Sequence, residues 1–130
     1  MPSAQQPAPS KPGVYLPLIT SAILINAVTD QPIGELKDSA TIDLQQIGTN
    51  QLSVVATTDS DNVGSVTFAL DGQVVKTENY APYAIKGNNG PDYIPWTPTV
   101  GEHTLVVMPY SEAKGQGQAG QAVTVRFTVR

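Results

Sequence analysis

A chain of 130 residues is long enough for one ordinary domain and too short for two. Only 14% of it is charged while Gly and Pro number 11 each, a composition that fits a turn-rich globular β-domain better than a disordered chain. Seven basic and eleven acidic residues give a net charge of −4 with no Lys/Arg cluster, which excludes nucleic acid and anionic membrane surfaces as partners held by charge.

Residues 1–17 read MPSAQQPAPSKPGVYLP. Each proline there removes an amide donor and holds its predecessor extended, so the segment is expected to be a flexible Pro-rich tail or linker ahead of a domain over 18–130. It lacks the basic start and apolar core of a signal peptide. No apolar run approaches the ~20 residues that span a bilayer, so no membrane insertion is expected.

The first expected strand covers residues 19–28, apolar on both sides, so its inward face stays open. Thr29-Asp30-Gln31-Pro32 breaks that run, and an open connection leads to a short strand over residues 40–44. Period-two alternation is cleaner afterwards. Leu52, Val54 and Ala56 alternate with Ser53, Val55 and Thr57, and Val66, Phe68 and Leu70 alternate with Thr67, Ala69 and Asp71. Asp71-Gly72 then signals a hairpin into residues 73–77, because glycine takes positive φ without a Cβ clash. Another short strand is expected over 83–86, followed by the long connection KGNNGPDYIPWTPTVGE and a strand over 103–110. GQGQAGQ, residues 115–121, reads as a flexible connection. The last strand, 123–129, alternates best of all. β-branched residues dominate these runs and helical spacing is rare, so seven to eight short strands predict an all-β, two-sheet antiparallel sandwich. With no cysteine it is held by packing, without a disulfide.

Two segments, VGSVTFALDGQVVKTENYAPYAI at 63–85 and VGEHTLVVMPYSEAKG at 100–115, resemble bacterial Ig-like accessory modules of secreted polysaccharide-active or surface proteins. The resemblance spans most of residues 19–129. It implies an immunoglobulin-like sandwich, neighbouring domains in a parent chain, and a secreted or cell-surface location. It says little about function, since the shared residues are architectural. The 87–98 loop is longer and more aromatic than such modules require.

That loop carries the candidate ligand-binding residues. Trp96, Tyr93 and Tyr83 offer flat rings for the C–H faces of a pyranose, and Asn88, Asn89 and Asp92 offer groups that read hydroxyls. The competing reading makes Trp96 a core residue closing the sandwich, and Tyr83 part of the strand edge. Asp59, Asp61 and Asn62 supply oxygen ligands suited to calcium, although they lack the twelve-residue EF-hand pattern and also suit a solvated turn. No other cofactor is implied.

His103, the only histidine, has no nucleophile or second ligand placed beside it by a motif and reads as a locally bonded strand-entry residue. Phosphate loops, the Gly-x-Ser-x-Gly elbow and His-Glu-x-x-His are missing, so no enzyme is expected. Three functions remain: a non-catalytic accessory module that binds polysaccharide through its aromatic loop, a structural spacer or cell-surface stalk, and a protein-recognition domain using a sheet edge.

Overall fold

The computed structural model describes residues 16–59 and 63–130. Along the chain run β1 (Ile19–Asn26), β2 (Gln31–Glu35), β3 (Ala40–Ile42), one helical turn α1 (Leu44–Ile47) and β4 (Leu52–Thr58). Then come β5 (Ser65–Leu70), β6 (Gln73–Glu78), β7 (Tyr83–Ala84), β8 (Asn88–Asn89) and β9 (Asp92–Tyr93). The chain finishes with β10 (Gly101–Glu112), a 3-10 turn (Ala113–Gly115), β11 (Gln116–Ala119) and β12 (Val123–Val129).

Two sheets make the sandwich, ordered β2-β1-β4-β7 and β3-β12-β10-β5-β6, with β11 added beside β10. Among the described strands the pairings are antiparallel except that β3 runs parallel to β12, Phe127 opposite Ala40 and Val129 opposite Ile42. The N-terminal run thus crosses from the first sheet to the second, giving the immunoglobulin-like arrangement. The strands beyond eight are short additions: β2, the β8–β9 hairpin and β11.

Alternation places the core. Leu52, Val54 and Ala56 from β4 face Val66 and Phe68 from β5, Leu105 and Val107 from β10, and Val125, Phe127 and Val129 from β12. In β12 the intervening Thr124, Arg126 and Thr128 are exposed. At the β5–β6 turn Asp71 (φ 51°) and Gly72 (φ 87°) both take positive φ, the geometry a tight hairpin demands.

Several local expectations change. β1 stops at Asn26, whose Oδ1 accepts from the amides of Val28 and Thr29 and turns the chain. Its inward residues are Ala22 and Leu24, and Ile19 joins them because the register slips between Ile19 and Ser21. The open connection after it is instead an exposed hairpin strand, β2, on the sheet edge where Pro32 is tolerated. β3 ends at Ile42 because Asp43 caps α1, accepting from the Gln46 amide at 3.0 Å. GQGQAGQ holds strand β11 rather than a free connection, Ala119 lying opposite Tyr110.

Residues 1–15 of the expected linker lie outside the described residues. Pro17, assigned to that linker, is fully buried, and its carbonyl accepts from the Gln121 amide at 3.2 Å. Leu18 bridges Gln121 at the start of β12, whereas Arg130 follows its end, bonded to Ile42 and Leu44. Entry and exit of the domain therefore lie at opposite poles, about 25–30 Å apart at the rise of a strand. Among the described residues no helix is long and apolar enough to cross a membrane.

Candidate functional site

The aromatic loop is an excursion from an edge strand. β7 lies antiparallel on β4, Tyr83 opposite Ala56 and Ala84 opposite Val55, and the Ile85 amide reaches the Val54 carbonyl at 2.9 Å. Residues 86–95 then leave the sheet, and the strand resumes at Trp96, which exchanges main-chain bonds of 2.6 and 3.0 Å with Leu52. Gly87, at φ 81°, opens the excursion, and its carbonyl accepts from the Ile94 amide to close it. Between them β8 and β9 pair, Asn88 opposite Tyr93 and Asn89 opposite Asp92. The Tyr93 amide donates to Asp30 Oδ1 at 2.9 Å and pins this hairpin to the β1–β2 turn.

This geometry places each ring and amide of the expected glycan platform. Trp96 is only 4% exposed, its indole set edge-on to Phe127 with centroids 6.0 Å apart. A stacking platform needs a free ring face, and this ring is spent on the core. Tyr83 is buried too, its hydroxyl donating to the Val63 carbonyl at 3.4 Å. Tyr93 is half-buried, Asn88 donates its side-chain amide to the Gly90 carbonyl, and Asn89 and Asp92 are exposed. Among the described residues the most exposed ring belongs to Tyr80, at 83%.

A second constellation joins residues that no sequence motif links. His103 Nδ1 meets Asp71 Oδ2 at 2.6 Å, and Asp71 Oδ1 accepts from the Thr104 amide at 2.8 Å. On the other side of the ring, Nε2 lies 2.8 Å from the Thr99 carbonyl. Both ring nitrogens thus face acceptors, which suits the doubly protonated imidazolium. The Asp71 carboxylate raises the His103 pKa against the opposing effect of burial, and His103 in turn lowers that of Asp71. A general base needs a lone pair turned toward substrate, and here both nitrogens are committed to internal partners. The group staples the β5–β6 turn to the entry of β10.

Around it lies a shallow depression of about 680 Å³ bordered by Glu102, Thr104, Arg126 and Thr128. Arg126 is itself engaged by Asp38 through a two-point contact of 3.2 and 2.9 Å, which holds the Asp38 pKa near 2. Elsewhere Glu78 keeps Oε2 buried without a hydrogen-bond partner, and burial raises its pKa while Lys76 pulls it down. A Cβ at Gly87 would sit 3.3 Å from that oxygen, so the excursion covers the carboxyl rather than opening a cleft to it. For calcium, Asp59 is exposed at the end of β4, and Asp61 and Asn62 lie outside the described residues. Among the described residues no group of three His, Asp or Glu is assembled to hold a metal ion.

No family model and no curated protein matches the chain. Among solved structures it is similar to the fibronectin(III)-like modules of Clostridium thermocellum CbhA. That likeness has 23% identity, covers 72% of this chain and 88% of the other, and has a TM-score of 0.49.

The free edge at β6 bears on protein recognition. Val74 and Val75 are exposed there, and β6 pairs only with β5 among the described residues. Yet Phe68 faces Lys76 while Ala69 faces Val74, so Val75 is the extra residue of a bulge. A bulge beside an edge lysine is a feature that discourages pairing with another chain.

The His103–Asp71 contact did have a sequence signal. Asp71 follows the last residue of β5 and His103 lies near the start of β10. The pairing of Leu105 with Leu70 brings those two ends together, and the positive φ of Asp71 takes it out of the strand's own alternation.

Proposed function

We propose that this chain is a non-catalytic Ig-like accessory module acting as a structural spacer in a secreted or cell-surface multidomain protein, with the residues ahead of Pro17 as its linker. The observation that carries this reading is the placement of entry and exit at opposite poles, Leu18 beside Gln121 and Arg130 beyond Val129. A chain passing through the sandwich lengthwise holds what lies on either side about 25–30 Å apart. Pulled from these poles, the parallel contacts of Leu18 with Gln121 and of β3 with β12 are loaded in shear, so their hydrogen bonds share the load. The burial of Trp96 and Tyr83 supports the spacer over the polysaccharide-binding reading. The secreted setting rests on the resemblance of residues 63–85 and 100–115 to bacterial Ig-like modules.

The test has two arms. Reporter domains fused at each end should show a narrow separation in scattering or energy transfer, and the module should not be retained by insoluble or soluble polysaccharides. A broad distribution of separations would sink the spacer. Retention that disappears in Tyr80→Ala or Tyr93→Ala, both still folded, would restore the carbohydrate reading instead.

A further inference from the structure

We propose that Asn89 is a site of spontaneous deamidation, and that its conversion loosens the β8–β9 hairpin. The reaction needs an asparagine whose side chain is free and whose next main-chain nitrogen is unobstructed. Asn89 is exposed and precedes Gly90, around which a Cβ would find nothing within 4 Å. Gly90 turns the hairpin with φ 59°, so the residue following Asn89 has neither a side chain nor packing to block a cyclic imide.

The other described asparagines are placed differently. Asn26 accepts two amides, Asn79 accepts the Lys114 amide, and Asn88 donates to the Gly90 carbonyl. Asn50 precedes Gln51, whose side chain crowds the same attack. Asparagine is among the thermally labile residue types, and this is the one in the described structure that combines exposure with a following glycine.

The Gly90 nitrogen attacks the Asn89 side-chain carbonyl carbon. A carbon–nitrogen bond forms to Gly90 as the bond to Nδ2 breaks, and Nδ2 leaves as ammonia with the proton lost from Gly90. Water then adds to either carbonyl of the imide, giving aspartate or isoaspartate, with no oxidant or reductant involved. Either product puts a new carboxylate opposite Asp92, its cross-strand partner. Like charges directly opposed destabilise a pair of strands, and isoaspartate also adds a main-chain methylene that breaks their register. The bonds exposed to this change are Tyr93 to Asp30 and Ile94 to Gly87.

The experiment incubates the folded full chain at mildly alkaline pH and follows each asparagine by peptide mapping. The tryptic fragment 87–114 contains Asn88 and Asn89, and fragmentation separates them. Asn89 should convert several-fold faster than Asn50, Asn79 or Asn88, and Asn89→Gln should abolish the acidic species. Conversion at Asn89 no faster than at Asn50 in the folded chain overturns the site. The structural consequence is read from hydrogen exchange in Asn89→Asp: faster exchange at the Tyr93 and Ile94 amides is expected, and unchanged rates overturn the loosening.

Discussion

β12 and the segment from Lys86 to Trp96 each deliver a large aromatic ring to the same part of the core, by different means. Phe127 arrives because every second residue of β12 points inward. Trp96 arrives because residues 86–95 loop out and the chain re-pairs with Leu52. One burial follows from a local period and the other from a contact across the sequence, yet the rings meet edge to face at 6.0 Å. Burial of a loop aromatic is therefore as structural here as burial in the clearest strand.

The sharpest test sets the two rings side by side. Trp96→Ala and Phe127→Ala should each lose about 3–5 kcal/mol in urea denaturation, the range for removing a buried aromatic. A Trp96 loss below about 1 kcal/mol would break the equivalence and mark its ring as available to ligand.

Gly120→Ala extends the comparison to the entry pole. A Cβ there would overlap the Pro17 carbonyl, so overpacking should cost about 1–3 kcal/mol in the same measurement. A neutral result would show that Pro17 is not packed as described.

The His103–Asp71 staple is a third tie made across the sequence, and it responds to pH. The His103 pKa is raised above its ordinary 6.5, so its stabilisation is complete below that value and lost as pH rises through the raised pKa. That of Asp71 is lowered from 3.8, so its share is present above that value and lost as pH falls through the lowered pKa. The pair is at full strength between these limits. Asp71→Asn should cost about 1–2 kcal/mol near pH 5, with a smaller difference at pH 8, in melts across that range. A pH-independent difference would remove the ion pair from the account. The smallest effect belongs to Tyr80→Ala, expected within about 0.5 kcal/mol because its ring is exposed.

Strands with clean alternation are legible residue by residue: the sequences of β4, β5 and β12 mark their inward faces, and Asp71-Gly72 marks its turn. β1 was harder, because a register slip at Ile19 changes which parity faces in. β2, β8, β9 and β11 are short and mostly exposed, so they leave little hydrophobic pattern to read. For the candidate site, the sequence located the aromatic loop but left the ring orientations open, since composition near Trp96 fits both a platform and a plug.

Side-chain alternation by itself determined that this protein is a β-sandwich and which residues of its main strands are hidden, because a pleated strand sends neighbouring side chains to opposite faces. Only the tertiary structure decided where Trp96 points, which residue answers His103, and at which poles the chain enters and leaves. Those depend on pairings between residues far apart in sequence, such as Trp96 with Leu52 and Leu18 with Gln121, and no local period encodes them.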